Sequence, residues 1–504
     1  DRRWSGRFDA AYEVGGWLET ITVGAKFETS KRTQTFLEFM DTNLVDPDGT
    51  VRPGAAGNFT LADTDLLTGG TFSFAPLNIA EYANYEILRF DPARVAAFID
   101  RGLGSVDAAR AANPAGAFGG QLSDELIEED VFAGYAMGKA AWGDWSLIAG
   151  ARVEHGRINT LVDQSIDIEA DAGSSLPDIS TTIAGTPVGS TYTEVLPRFQ
   201  LNYRPDENLV FRGAFYTAIA RPEYQFLSAA QSISRDAGDD FSVDLGNPDL
   251  DNAYGYNFDL GVELYQGSVG FIGVNLFYKH IKNFIFDNSD GVFDGGVAGL
   301  QAALDAQGID IDLAAYGATD GNIDVSQPQN GRTADVYGVE FSVVRQFNQL
   351  PGALGGLGFY GNLTLQRSSA SIDVKTDALT CEIIQLDVPF FNAPNYVGTA
   401  ALTYTKYGID ATLSYSFQDK SNAEIASTGL YEVYDRPYES LDLTVNYTFD
   451  VGASSELTLF VAVTDLLDNG SSPINYESFG SSGLVPRIVE YDGRSFRAGA
   501  RVKF

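Results

Sequence analysis

Hydrophobic and polar residues alternate with period two in many separate segments of the chain. Segment 408–421 is the clearest example, because its odd positions from 409 to 417 are apolar or aromatic and the even positions between them are polar. Segments 438–449, 145–160 and 254–266 follow the same rule over most of their length. This alternation is typical of a β-strand that has one apolar and one polar face. The pattern therefore predicts an all-β protein.

The alternation predicts about fifteen strands, joined by connections that alternate between short and long. The predicted strands cover residues 6–14, 20–34, 126–141, 145–160, 191–204, 208–220, 254–266, 268–286, 332–347, 357–373, 393–406, 408–421, 438–449, 455–466 and 491–504. The short connections are 15–17, 142–144, 204–208, 266–268, 406–408 and 450–455, and the long ones are 35–125, 161–190, 221–253, 287–331, 374–392, 422–437 and 467–490. Short periplasmic turns and long extracellular loops are the layout of a bacterial outer-membrane barrel. We therefore predict a transmembrane antiparallel β-barrel.

Charged residues lie on the polar faces of several predicted strands. A soluble sandwich would turn them toward the surrounding water, whereas a membrane barrel turns them toward its lumen and keeps the apolar face for lipid. Strand sequence alone leaves both alternatives open, and the alternation of short and long connections favours the barrel. The residues expected to face the lumen are Arg152, Glu154, Asp259, Glu263, Glu340, Asn362, Gln366, Asp410 and Arg497.

The composition argues against several classes of function. The 504 residues include 68 Asp or Glu and 33 Lys or Arg, and the resulting net charge of −35 is unsuited to a nucleic-acid backbone. One cysteine, Cys381, and two histidines leave little material for a disulfide or for a zinc or iron site. No run of about 18 apolar residues occurs, so no transmembrane helix is predicted. Because no set of catalytic residues emerges either, we expect no enzyme and no cofactor or metal.

Two of the long connections are rich in aspartate. Residues 235–252 contain six Asp, and residues 287–331 contain eight. Carboxylates can hold Ca²⁺, but neither segment has the ligand spacing of an EF-hand, and we expect solvated surface loops. Segment 85–112 differs from these loops, because its apolar residues have helical spacing, and we expect a small helix there.

A series of motifs connects the chain to one known family. Segments TEVLPRFQLNYRPDENLVFRGAFYTAIARPEY (193–224) and GNPDLDNAYGYNFDLGVELY (246–265) look like a mid-barrel hairpin and the loop and return strand that follow it. They are followed by NLFYKHIKNFI (275–285), YGVEFSV (337–343), VTDLLDN (463–469) and a terminal aromatic residue, Phe504. In these motifs and in their order, residues 126–504 resemble the TonB-dependent receptor family.

The resemblance implies a 22-stranded barrel around an N-terminal plug. Residues 1–504 would then be one β-barrel domain with about fifteen of those strands, without the plug and about seven early strands. The implied function is energy-coupled uptake of a scarce, bulky solute, such as a siderophore or an oligosaccharide, across the outer membrane of a Gram-negative bacterium. A passive diffusion channel of porin type is the alternative.

The same resemblance implies a set of partners. A TonB-type energy-coupling protein would act through the plug, and a small-molecule ligand would bind from outside. The barrel would contact outer-membrane lipid and lipopolysaccharide as a monomer, and Phe504 would be the signal read by the barrel-assembly machinery.

Residues near the outer mouth and on the lumen face are the candidate ligand contacts. Arg221, Glu223 and Tyr224 lie where a predicted strand emerges into a long loop. Arg152 and Asn362 lie on polar strand faces. The acidic loops disfavour a strongly anionic ligand, because like charges repel at the mouth.

Overall fold

A computed structural model describes most of the chain and supplies the bounds of its elements. The described residues are 2–37, 43–45, 51–53, 67–73, 86–90, 122–171, 173–183, 185, 187–228, 231–236, 238–267, 270–291, 293, 295–306, 308–375, 383–423, 434–435, 437–452, 455–467, 478–479, 485–486 and 493–503. One α-helix, α1 (Gly296–Ala306), and two 3₁₀ turns, Tyr224–Leu227 and Gly352–Gly356, occur among them. Within these ranges, no helix is long and apolar enough to cross a membrane.

Strands make up most of the described residues. In chain order they are β1 (Arg2–Gly15), β2 (Leu18–Leu37), β3 (Asn43–Val45), β4 (Val51–Pro53), β5 (Leu67–Ser73), β6 (Glu86–Phe90), β7 (Leu122–Trp142), β8 (Trp145–Val162), β9 (Gln164–Ile168), β10 (Ile179–Ile183), β11 (Val188–Tyr203), β12 (Leu209–Ala220), β13 (Gln231–Arg235), β14 (Phe241–Leu245), β15 (Ala253–Tyr265), β16 (Gly270–Lys282), β17 (Ile285–Gly291), β18 (Ile323–Asn330), β19 (Thr333–Gln346), β20 (Leu357–Lys375), β21 (Ile383–Val388), β22 (Tyr396–Lys406), β23 (Ile409–Gln418), β24 (Ser421–Asn422), β25 (Tyr434–Asp435), β26 (Tyr438–Asp450), β27 (Glu456–Thr464), β28 (Ser478–Phe479), β29 (Val485–Pro486) and β30 (Ser495–Lys503).

One large antiparallel sheet runs through the molecule. Its strand order is β1-β2-β7-β8-β11-β12-β15-β16-β19-β20-β22-β23-β26-β27-β30, and β21 pairs with β20 beside this path. Each of the fifteen strands predicted from the sequence overlaps one strand of this path. The prediction of an antiparallel barrel sheet with about fifteen strands is therefore confirmed.

Tight turns and long connections alternate along the path, as the sequence predicted. The turn at 407–408 is the tightest type, because Tyr407 and Gly408 both have positive φ, 58° and 77°. Two successive positive φ values match the right-handed twist of the paired strands and define a two-residue hairpin. The next connection, between β23 and β26, covers residues 419–437.

The two faces of the large sheet differ in polarity. On one face, a row of paired residues crosses five strands and is wholly apolar: Leu402, Leu413, Leu443, Val463 and Phe496. On the other face, the neighbouring row is mostly polar: Thr403, Thr412, Thr444, Ala462 and Arg497. In a membrane barrel the apolar face contacts lipid and the polar face lines the lumen. The cross-strand pairing places all nine residues expected to face the lumen on the polar face.

Three of the long connections fold together into a second sheet. Its strand order is β10-β9-β13-β14-β18-β17, with parallel pairing of β9 with β13 and of β14 with β18. Helix α1 covers one face of this sheet and contributes Leu300 and Leu304, both almost fully buried, to a shared apolar core. We call these six strands and α1 the cap.

The cap corrects one expectation from the sequence. Residues 235–252 and 287–331 were expected to be solvated loops, but both segments supply strands, and the second also supplies α1. The alternating buried residues of β14, such as Phe241 and Val243, provide the apolar surface that orders them.

Two other expectations fall at the edge of the described residues. The first residues of segment 85–112, Glu86–Phe90, form strand β6, paired with β5, and the small helix expected in that segment is left to residues 91–112. Residues 91–112 and Phe504 lie outside the described residues.

Candidate functional site

A group of charged and phenolic side chains meets on the polar face of the large sheet. Strands β7, β8 and β11 contribute one, two and one of these residues, and the turn that follows β12 contributes the other two. We call this group the Arg221 cluster: Glu129, Arg152, Glu154, Tyr192, Arg221 and Tyr224.

Arg221 connects two buried carboxylates. Its Nη1 donates to Glu129 Oε1 over 3.1 Å, and its Nη2 donates to Glu154 Oε1. The side chains of Glu129 and Glu154 are only 6% and 7% exposed, whereas that of Arg221 is 34% exposed. Charge-assisted hydrogen bonds of this kind are among the strong ones in proteins, and they offset the loss of hydration by the carboxylates.

Glu154 has two further partners. Arg152 donates from Nε and Nη2 to Glu154 Oε2 over 3.0 and 2.6 Å, and the hydroxyl of Tyr192 donates to Oε1 over 3.1 Å. The guanidinium carbon of Arg221 lies 5.5 Å from the centre of the Tyr192 ring, within cation–π range. With two arginines and two glutamates, the cluster has no net formal charge.

Tyr224 completes the cluster from the turn. Its hydroxyl donates to Glu129 Oε2 over 2.7 Å. Burial, and then this hydrogen bond, raise the pKa of Tyr224 to about 12. The phenol therefore stays protonated at neutral pH and remains a donor.

Apolar contacts hold the same turn against the sheet. Pro222, directly after Arg221, cannot donate to a strand partner and favours the end of β12. The 3₁₀ turn then places Leu227 in a buried cluster with Ile158 and Leu250. Thr160 Oγ1 donates to the carbonyl of Leu227 over 3.1 Å. The turn is thus fixed to β8 by both charged and apolar contacts.

The structure brings together three of the five residues singled out as ligand contacts. Arg152, Arg221 and Tyr224 belong to the Arg221 cluster. Glu223 lies beside them but is exposed, and its Oε2 accepts from Gln225 Nε2 over 3.1 Å.

Asn362 lies apart from this group. It is on the polar face of β20, where its Nδ2 donates to the hydroxyl of Tyr360 over 2.7 Å. The sequence placed Asn362 on the correct face but gave no reason to group it with Arg221, and the structure does not bring the two together in the cluster.

Sequence reasoning missed Glu129 and Tyr192 as partners. Glu129 lies in a run of three acidic residues, 128–130, in which alternation places the middle one on a different face from its neighbours. The sequence does not tell which face of β7 is continuous with the polar face of β8, and only the pairing of the two strands establishes this. Tyr192 stands opposite Gly156, and its ring occupies the space that a side chain at 156 would fill.

A buried arginine joins two of the connections that form the cap. The side chain of Arg235 is 5% exposed. It donates to the carbonyls of Glu169 and Asp239 over 2.9 and 3.1 Å, and to Asp171 Oδ1 over 2.6 Å. The hydrogen bond from Arg235, assisted by one from the Gly238 amide, lowers the pKa of Asp171 below its ordinary value.

The face of the cap sheet away from α1 is lined by hydroxyls and carboxylates. Strand pairing places Ser165, Ser232, Asp244 and Ser326 in one row. Ser165 Oγ and Ser232 Oγ are 2.9 Å apart, and Ser326 Oγ donates to Asp287 Oδ1 over 2.9 Å. Partial burial, and then the charge of Asp287, raise the pKa of Asp244.

The groups at these sites can form hydrogen bonds and charge pairs. The Arg221 cluster offers guanidinium, carboxylate and phenol groups, and the cap offers hydroxyls and carboxylates. Among the residues that the structure describes, no three or more His, Cys, Asp or Glu gather as a metal site. Cys381 lies outside the described residues.

Comparison with known families identifies the class of this protein. The model of the TonB dependent receptor-like β-barrel family matches residues 1–466. The chain therefore belongs to the TonB-dependent receptor β-barrel family, as the sequence motifs had predicted. A search of curated proteins finds no match.

Solved structures share the fold at low sequence identity. The ferric-catecholate import receptor Fiu of E. coli K12 is 14% identical, with a TM-score of 0.54 over 99% of this chain and 54% of that receptor. The siderophore receptor PiuA of Acinetobacter baumannii is 12% identical, with a TM-score of 0.53 over 99% of this chain and 56% of that receptor. The ferric yersiniabactin uptake receptor FyuA of Yersinia pestis is 11% identical, with a TM-score of 0.51 over 99% and 53%. The chain spans about half the length of these receptors.

Proposed function

We propose that this chain is the barrel part of an outer-membrane receptor that takes up a scarce, bulky solute by TonB-type energy coupling. The family match over residues 1–466 carries the proposal. The two faces of the large sheet support it, because an apolar face for lipid and a polar face for a lumen suit a membrane barrel. Transport of this kind makes and breaks no bond in the solute, so we propose no enzymatic activity.

The partial coverage of the related structures supports a longer protein. This chain aligns with 53–56% of three receptors of the same fold. We propose that residues 1–504 contribute one barrel domain to a longer protein of a Gram-negative outer membrane, and that a plug couples it to the TonB-type partner. Lipid, lipopolysaccharide and the barrel-assembly machinery are its further proposed partners, and we propose a monomer.

The cap and the Arg221 cluster support capture of a solute at the outer mouth. The cluster fixes the turn at 221–228, and the cap orders three connections that would otherwise be long loops. Pre-organised loops lose less conformational entropy when a ligand binds. We propose that Glu223, Arg221 and Tyr224 line the approach to the lumen, and that Arg152 and Asn362 contact the solute further in.

The related receptors suggest a class of solute. Fiu imports ferric catecholates and FyuA takes up ferric yersiniabactin. A siderophore is therefore the first candidate, and an oligosaccharide is the second. The excess of acidic residues favours a solute that is not strongly anionic.

Uptake by whole cells tests this proposal. Cells that carry the complete protein are given a radiolabelled ferric siderophore without net negative charge or a neutral oligosaccharide, with and without an uncoupler of the proton-motive force. We expect saturable uptake of one of them that the uncoupler abolishes, and weaker uptake in Glu223→Gln and Asn362→Ala variants. Uptake that rises linearly with concentration and continues with the uncoupler would instead establish the porin-type channel.

A further inference from the structure

Asp465, directly after β27, has a buried carboxylate without a partner. The residue is 5% exposed, and neither Oδ1 nor Oδ2 has a hydrogen-bond partner. A buried carboxylate normally pairs with a cation or accepts several hydrogen bonds, because it has lost its hydration. The Asp465 carboxylate has neither kind of partner among the described residues, so another group must compensate its negative charge.

A second carboxylate adjoins Asp465. The backbone N–H of Asp465 donates to Asp442 Oδ1 over 2.9 Å. Ser440, which is 2% exposed, donates from Oγ to the same oxygen over 2.8 Å. Both donors lie on one oxygen of Asp442, and in the described residues no Lys or Arg forms an ion pair with either aspartate. Ser440 and Asp442, near the start of β26, therefore adjoin Asp465, which directly follows the end of β27.

The backbone does not explain why residue 465 is an aspartate. Its φ is 53°, in the left-handed region that both Asn and Asp tolerate. Asn would satisfy this conformation without placing a charge in a buried position. The buried carboxylate therefore points to a positively charged ligand.

We propose that Asp465 and Asp442, with Ser440, bind one Ca²⁺ ion. Carboxylate and hydroxyl oxygens are hard ligands that suit calcium, and two carboxylates balance a divalent charge. Calcium also tolerates irregular coordination completed by water, whereas Mg²⁺ demands near-octahedral geometry. The ion holds the end of β27 to β26, where the long connection 465–494 begins.

Equilibrium binding of radioactive calcium tests the site. The complete protein in detergent is stripped with a chelator and then titrated with labelled CaCl₂. Asp465→Asn keeps the size and backbone preference of the residue and removes its charge. We expect this variant to bind one calcium ion fewer per chain than the wild type, or to bind that ion at least about tenfold more weakly. Asp410→Asn, an exposed carboxylate on the polar face of β23, is the matched control and should bind as the wild type does.

Thermal unfolding with and without calcium gives the second readout. Calcium should raise the unfolding midpoint of the wild type and of Asp410→Asn, and should have a smaller effect on Asp465→Asn. If Asp465→Asn does not fold, Asp442→Asn takes its place in both measurements with the same expectation. Equal calcium binding by the wild type and the substituted protein overturns the proposal. So does an Asp465→Asn protein that is more stable than the wild type while calcium affects the stability of neither, because the carboxylate then holds no cation.

Discussion

Arg221 Nη1 lies 3.1 Å from Glu129 Oε1, although the two residues are 92 positions apart in the chain. The contact joins the turn after β12 to β7, across the intervening strands β8 and β11. Arg221 also donates to Glu154 on β8, so one side chain ties the turn to two strands.

Arg221→Met should therefore loosen the turn at 221–228. The substitution keeps an unbranched side chain of similar length but leaves Glu129 and Glu154 without their shared cation. Breaking a buried ion pair from one side costs about 3–5 kcal/mol, and the partial exposure of Arg221 reduces our expectation to about 2–3 kcal/mol. Hydrogen exchange of the peptide that covers 221–228 measures this change.

Arg198→Met is the control for this substitution. Arg198 is an exposed arginine on the polar face of β11, outside the Arg221 cluster. It should leave exchange at 221–228 unchanged. Similar exchange in both variants would mean that the apolar contacts of Leu227 alone hold the turn.

Leu300→Ala should open all three connections of the cap together. Leu300 on α1 is 0% exposed and belongs to one buried apolar cluster with residues of β9, β13, β14 and β18. Deleting a buried leucine side chain typically costs about 2–5 kcal/mol, because the cavity is only partly filled by relaxation. Hydrogen exchange should rise to a similar extent in those four strands.

The matched control is Leu354→Ala. Leu354 lies in the 3₁₀ turn Gly352–Gly356, far along the chain from the cap, and is 53% exposed. Its truncation should leave cap exchange unchanged. Faster exchange in α1 alone after Leu300→Ala would contradict a cap that unfolds as one unit.

Asp244→Asn should stabilise the cap at neutral pH. Burial and Asp287 raise the pKa of Asp244, so its ionised form is less favourable in the folded cap than in the unfolded chain. The folded state therefore loses stability as the pH rises through this region, and the neutral amide avoids that loss. The advantage of the variant should disappear at acidic pH, where Asp244 is itself protonated. Hydrogen exchange of β14 as a function of pH measures the difference.

Asp171→Asn should have the opposite effect and destabilise the cap at neutral pH. The pKa of Asp171 is lowered by Arg235, so this contact stabilises the cap above the ordinary aspartate pKa and is lost as the pH falls through the lowered pKa. The variant should therefore be less stable than the wild type at neutral pH. This difference should shrink as the pH falls below the ordinary aspartate pKa and should vanish only below the lowered pKa of Asp171. If both substitutions stabilise the cap, the opposite pKa shifts assigned to Asp244 and Asp171 are refuted. The stability of the cap would then depend only on its net charge.

The large sheet could be predicted from the sequence because its signal is local. Alternation in a segment such as 408–421 assigns each side chain to a face, and Ser414 and Leu413 follow that assignment. The faces of Arg152 and Asn362 were correct for the same reason. The resemblance of the motifs to a known family added the expectation of energy-coupled uptake, which alternation alone does not contain.

The Arg221 cluster and the cap were less predictable because they depend on distant pairing. Glu129 and Arg221 meet only after four strands have been placed in order. The cap requires three connections to share one core, and its strands are short, so their alternation resembles that of an acidic loop. Asp244 and Asp287 added to that impression, although they lie beside buried residues of the cap.

The orientation of the strands can be tested at two adjacent positions of β23. Leu413 is on the apolar face, paired with Leu402 and Leu443, whereas Ser414 is on the polar face, paired with Ala401 and Asp442. Leu413→Arg places a charge against lipid, which near the middle of the bilayer costs about 2–4 kcal/mol. Ser414→Arg places the same charge in the lumen beside Asp442, where water and the carboxylate accommodate it, and should cost far less. Reversible folding into phospholipid vesicles, followed by titration with denaturant, gives both free energies of unfolding. Equal losses of stability in the two variants would remove the assignment of the apolar face to lipid. A larger loss for Ser414→Arg would reverse it.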